Sequence, residues 1–75
     1  MTIKLGKYQH FKGSEYQVIH VGRHSETEEY HVIYYPLYGE EDAEDKIWIR
    51  PLSMFDETIE RQGKLIKRFK YVANN

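Results

Sequence analysis

Strand signals dominate the pattern of apolar and polar residues along the 75-residue chain. The first predicted strand is Lys7 to Phe11, ended by Lys12-Gly13-Ser14, where Gly13 can take the positive φ of a tight reversal. The second runs from Glu15 to Arg23, with Tyr16, Val18 and His20 on one face and Gln17, Ile19 and Val21 on the other. A strand with apolar groups on both faces is covered on both sides or strongly curved. Ser25-Glu26-Thr27-Glu28 reads as a polar reversal into a third strand, Glu29 to Tyr35, whose β-branched and aromatic run has high strand propensity. Pro36 ends that strand or places it at an edge.

Leu37 to Asp45 carries five acids that repel one another, so it is predicted as an exposed loop. A fourth strand, Lys46 to Arg50, is read with Ile47 and Ile49 inward and Lys46, Trp48 and Arg50 outward. Pro51 to Gly63 has two readings. Met54, Phe55 and Ile59 fit one face of a ten-residue helix, with Ser53 and Asp56 as a capping box and Gly63 as a stop. Alternatively, a short helical turn near 53–56 precedes a hairpin of Thr58-Ile59-Glu60 and Lys64 to Val72, closed by Arg61-Gln62-Gly63, and this second reading is adopted. The expected fold is therefore mainly β: a small, strongly bent antiparallel SH3-like barrel of five or six strands with one short helical turn. It forms a single domain over 1–75, with its core at about 6–72 and a loose tail at 73–75. Closure would make the first and last strands neighbours.

Seven Tyr, three Phe and one Trp must supply much of the core of so small a chain. The absence of cysteine excludes disulfides and thiolate chemistry and leaves the cytoplasm as the expected compartment. Met1 to Leu5 lacks the apolar run of a leader, and Val32 to Tyr35 falls far short of the roughly 20 residues that cross a bilayer, so no membrane role is expected. The net charge of −1 is segregated: +3 over residues 1–23, −9 over 24–60 and +5 over 61–75. If the termini adjoin, they form a cationic face opposed to an anionic one.

The candidates for chemistry are few. His20 and His24, four apart, would stand about 13 Å from each other on a continuous strand, too far for one metal ion. The acidic run 40–45 lacks the alternation and internal Gly of an EF-hand loop, so no metal or other cofactor is called for. His24-Ser25-Glu26-Thr27 groups a base, hydroxyls and a carboxylate without a nucleophile elbow, and no catalytic residue is assigned. The most suggestive pair is Trp48 and Arg50. A guanidinium beside an indole can grip a carboxylate or phosphate while the ring stacks on a flat or cationic group. Tyr8, Tyr34 or Tyr35, Tyr38 and Arg68 would complete an aromatic and basic groove.

Together, Gly6-Lys7-Tyr8, His10-Phe11-Lys12-Gly13, Tyr16-x-Val18, Arg23-His24-Ser25-Glu26-Thr27, Leu37-Tyr38-Gly39, Trp48-x-Arg50-Pro51-Leu52, Met54-Phe55 and Arg68-Phe69 resemble a family of small bacterial proteins known as domain of unknown function sixteen fifty-three. The likeness spans about residues 6–72 in matching order. Phe11 stands where that family usually has Tyr, Lys67 replaces a common Pro, and the acidic loop is longer. The resemblance implies a compact, mainly β cytosolic protein and marks His24, Glu26, Thr27, Tyr38, Trp48, Arg50 and Arg68 as motif positions. It supplies no activity.

The expected function is a non-enzymatic module binding a small anionic ligand or a peptide or protein partner. In it Trp48 stacks, Arg50 and Arg68 hold negative charge, and His24 and Tyr38, with Glu26 and Thr27 nearby, line the rim. RNA or single-stranded nucleic-acid binding through the basic terminal strands is the alternative. A hydrolase-like use of His24 and Glu26 is a third.

Overall fold

The computed structural model describes residues 3–39 and 45–73. The elements follow as β1 (Gly6–His10), β2 (Glu15–Arg23), β3 (Tyr30–Pro36), β4 (Trp48–Pro51), α1 (Leu52–Phe55), β5 (Thr58–Arg61), β6 (Lys64–Lys67) and β7 (Phe69–Ala73). Five strands form one antiparallel sheet in the order β4-β3-β2-β1-β7, and β5 and β6 form a separate hairpin.

The turns follow from local chemistry. Gly13 takes φ 109°, and its N–H donates to the His10 carbonyl at 2.7 Å, closing β1 onto β2. Between β2 and β3, the His24 N–H donates to the Glu29 carbonyl at 2.8 Å, with Glu28 in the left-handed region at φ 63°. Gln62 (φ 54°) and Gly63 (φ 79°) sit between the paired residues Arg61 and Lys64, the two-residue loop whose twist suits a tight hairpin. Within 51–63 helical structure is confined to the four residues of α1, so the turn-plus-hairpin reading of that stretch holds. The capping box does not form: α1 starts at Leu52, behind Pro51, which makes no side-chain cap. Asp56 lies at the other end, its N–H donating to the Leu52 carbonyl at 2.8 Å.

The core is Tyr8, Tyr16, Val18, Val32, Tyr34, Leu52, Phe55 and Phe69, five of them aromatic. Phe55 lies parallel to Phe69, with ring centres 4.1 Å apart, and edge-on to Tyr8 and Tyr34. The four-residue helix thereby seals one end of the concave face of the sheet.

The sheet is strongly curled but, among the described residues, does not close into a barrel, because β4 and β7 remain its two outer strands. Their side chains nevertheless meet across the concave side, with the Arg50 guanidinium 5.4 Å from the Phe69 ring centre. The first and last strands do adjoin, Tyr8 opposite Tyr71 and His10 opposite Phe69. The predicted strand 64–72 is split at Arg68, whose N–H donates to the Glu57 carbonyl and whose carbonyl accepts from the Phe11 N–H, both at 2.9 Å. Ala73 is paired with Lys7 in β7 rather than loose. Residues 74–75 of the expected tail and 40–44 of the acidic loop lie outside the described residues.

Two face assignments are corrected. The β2–β3 register shifts between Val18 and His20, so His20 leaves the Tyr16–Val18 face and Val21 comes opposite Val32. In β4 the alternation is reversed: Ile47 and Ile49 are exposed, and Trp48 and Arg50 turn to the concave side. A short outer strand that is amphipathic on both faces carries no local instruction about which face is buried. The aromatic cluster decides it by accepting the indole, whose area exceeds that of an isoleucine. No helix among the described residues is long and apolar enough to cross a membrane.

Candidate functional site

Beyond the end sealed by α1, the concave face carries His10, Tyr16, Tyr38, Trp48 and Arg50, with Tyr38 and Trp48 partly exposed and Tyr16 buried beneath them. Alternation places them there: His10 follows Tyr8 at strand period in β1, Tyr16 begins the inward set of β2, and Trp48 and Arg50 are the inward pair of β4. The Leu37 N–H donates to the Glu15 carbonyl at 2.9 Å, which pins the chain after β3 and folds Tyr38 back over the opening. The Tyr16 ring is the hub, 5.6 Å from Tyr34, 5.7 Å from Tyr38, 5.6 Å from Phe69 and 5.9 Å from Trp48. Trp48 also meets Tyr34 edge-on and remains 40 % exposed, presenting part of an immobilised indole to solvent.

Arg50 is held by its Nε–H, which donates to the Tyr34 hydroxyl at 3.1 Å. Among the described residues no carboxylate pairs with it. A guanidinium oriented by a neutral acceptor keeps its full charge and its Nη donors for an anion. His10 accepts the Lys12 backbone N–H on Nδ1 at 3.1 Å, so its neutral ring carries hydrogen on Nε2. Burial, then the charges of Arg68, Arg50 and Lys12, hold its pKa below the ordinary imidazole value. The Tyr16 phenol is pushed up to about 12, first by burial and then by its hydroxyl pairing with Tyr38 at 3.4 Å. The opening therefore combines one oriented cation, hydrogen-bond donors and aromatic surface, with no negative group in these contacts.

The structure divides the predicted site residues. Trp48, Arg50 and Tyr38 are brought together around Tyr16 and Tyr34. Tyr8 is buried in the core, its hydroxyl donating to the Lys4 carbonyl, and Tyr35 lies on the opposite face from Tyr34. Arg68 is committed to the chain corner, its Nε–H donating to Glu57 Oε1 at 3.1 Å, and its guanidinium lies 5.9 Å from the Phe11 ring centre. His24, Glu26 and Thr27 sit in the β2–β3 turn, at the end of the molecule where α1 packs, and share no hydrogen bond or ring contact with Trp48 or Arg50 among the described residues. His24 Nδ1 accepts the N–H groups of Glu26 and Thr27 (3.1 and 3.3 Å), and Thr27 Oγ1 accepts that of Glu29 (3.2 Å). These side chains build the turn, which is why the sequence pattern looked chemical. No group of three His, Asp or Glu side chains among the described residues gathers to hold a metal ion.

His10 was missed as a site residue. Its signal was available in the alternation Gly6, Tyr8, His10, which continues the core face of β1 to its open end. It also borders a groove of about 460 Å³ running between β1 and the β6–β7 segment, from which Trp48 and Arg50 are absent.

The family described as Protein of unknown function (DUF1653) matches residues 6–71. A crystal structure of a protein of the same family from Bordetella bronchiseptica is similar at 30 % identity and a TM-score of 0.83, covering 97 % of this chain and 91 % of that one. Among curated proteins none matches.

Proposed function

The chain belongs to the DUF1653 family, and from the geometry of its open concave end we propose that it is a non-enzymatic binding module for a small anionic or peptide-like ligand. Arg50 holds the ligand's carboxylate or phosphate, the Trp48 indole stacks on the adjoining flat or cationic group, and Tyr38, Tyr16 and His10 line the rim. The observation that carries the reading is a guanidinium fixed on Tyr34 with no carboxylate partner among the described residues. The reading treats the curled sheet as an SH3-like frame left open at the ligand end. It places the module in the cytoplasm, in keeping with a chain without cysteine. His24, Glu26, Thr27 and Arg68 do not enter it, because each already has a structural partner or position in a turn.

Trp48 is the only tryptophan, so its fluorescence reports the site directly. Titration with a panel of carboxylates, phosphates and C-terminal peptides is expected to give a saturable change with at least one compound class, lost in Arg50→Ala and weakened in Arg50→Lys. A panel without response, or a response retained in Arg50→Ala, overturns the assignment.

A further inference from the structure

The basic termini converge on a second surface, a groove that His10 borders and that Trp48 and Arg50 do not line. Phe11, half-buried at the end of β1, has three cations around its ring: Arg61 at 5.0 Å, Lys12 at 5.8 Å and Arg68 at 5.9 Å from the ring centre. The His10 ring lies beside the Phe11 ring, with centres 4.4 Å apart and a shallow angle of 32° between them. This pair floors the groove of about 460 Å³, which Ile66, Lys67 and Lys70 also line.

Charge is left over here. Arg68 and Lys67 are offset by Glu57 and Asp56, at 3.1 and 3.0 Å. Lys12, Arg61, Lys64 and Lys70 have no carboxylate partner among the described residues. Arg61 and Lys64 moreover face each other directly across the β5–β6 hairpin tip. Like charges in that position destabilise a hairpin, and a bound anion would remove the penalty. The uncompensated cations come from three segments, Lys12 in the β1–β2 turn, Arg61 and Lys64 at the hairpin tip and Lys70 in β7, more sites than a single phosphate occupies. An extended chain of phosphates with flat groups between them matches both the spread of cations and the aromatic floor.

We propose that the cleft between Phe11 and the β5–β6 hairpin binds single-stranded nucleic acid, with Arg61, Lys64, Lys12 and Lys70 on phosphates and a base lying on the Phe11–His10 floor.

The test is fluorescence polarisation of a labelled RNA of about 10 nucleotides, a length within the range such surfaces occupy. Unlabelled mononucleotide and a duplex of equal length serve as competitors. Binding is expected to weaken with salt with a log–log slope of about −2 to −3, from four released counterions at about 0.7 each. Arg61→Gln with Lys64→Gln, both at exposed positions, should reduce affinity at least tenfold and make the slope shallower by about 1.4. Phe11→Leu, which keeps the apolar bulk, should weaken binding without changing the slope. Four results each overturn the proposal: no binding at low salt, binding unaltered in the hairpin variant, competition by duplex as strong as by single strand, or mononucleotide competing as strongly, mole for mole, as the oligonucleotide.

Discussion

Alkaline pH should unfold this protein through Tyr16. Its phenol is buried at the hub of the aromatic cluster, with its hydroxyl against that of Tyr38 and its ring against Tyr34, Trp48 and Phe69. Burial is the leading reason that its pKa is pushed up from 10.0 to about 12; the Tyr38 hydrogen bond adds to it and Arg50 opposes it. In the unfolded chain the same phenol ionises near pH 10. A raised folded-state pKa means that the stabilisation is fully present below pH 10 and is lost as pH climbs through 12. Each pKa unit is worth about 1.4 kcal/mol, so the loss across the window is on the order of 2 kcal/mol. That is a large share of the roughly 4–11 kcal/mol expected for a chain of this size. Other tyrosines and the lysines titrate in the same range, so the measurement is a difference. Urea unfolding is followed by Trp48 fluorescence for the natural chain and for Tyr16→Phe, at pH 9 and at pH 11. The natural chain should lose about 1 kcal/mol more than the variant between those pH values. Equal losses would mean that Tyr16 ionises normally in the folded state and that the cluster is wetter than its packing indicates.

Phe55→Ala should cost about 3–5 kcal/mol, because it opens a cavity at a 1 % exposed ring and removes contacts with Tyr8, Tyr34 and Phe69; a loss under about 1 kcal/mol in urea unfolding would contradict its place as the seal of the concave face. Gly63→Ala meets no atom within 4 Å but must hold φ 79°, so about 1 kcal/mol of destabilisation is expected from backbone strain alone, and an unchanged midpoint would refute the tight-loop geometry. Glu57→Gln should loosen the Arg68 corner, with a cost of about 1 kcal/mol or less at this half-exposed pair, and should lower the His10 pKa further in an NMR titration by unmasking the Arg68 charge.

Much of this architecture is legible in the residues themselves. Strand β2 runs over Glu15–Arg23 as its composition predicts, Gly13 and Gln62-Gly63 mark two reversals, and the basic ends do become neighbouring strands. These features depend on local turn chemistry and on strand propensity, which adjacent residues encode. The reversed face of β4 was not legible, since Ile47 and Ile49 and Trp48 and Arg50 make equally good alternating sets and only contact with Tyr16 and Tyr34, more than ten positions away in sequence, selects between them. The β2 bulge was hidden for the same reason, because a one-residue shift leaves no mark in a strand with apolar groups on both faces. Barrel closure was over-read: short strands and frequent turns specify a bent sheet, but hydrogen bonding between its outer strands is a tertiary outcome. Of the candidate site, Trp48, Arg50 and Tyr38 lie together around Tyr16 and Tyr34, on the concave side and not on the outward face that the alternation predicts. His24, Glu26 and Thr27 drew notice because turn-forming side chains and catalytic side chains are the same polar types.

The most direct measurement is a nitrogen–proton correlation spectrum that resolves side-chain Arg Nε–H and Trp Nε1–H signals, recorded while acetate, inorganic phosphate or the tightest ligand from the fluorescence panel is added. If the open end of the concave face is the binding site, the Arg50 Nε–H, the Trp48 indole N–H and the Tyr38 amide shift together, with one shared saturation curve. Shifts confined to the His24–Glu29 turn or to the Ile33–Ile49 face, with Arg50 and Trp48 unmoved at saturation, would contradict that placement.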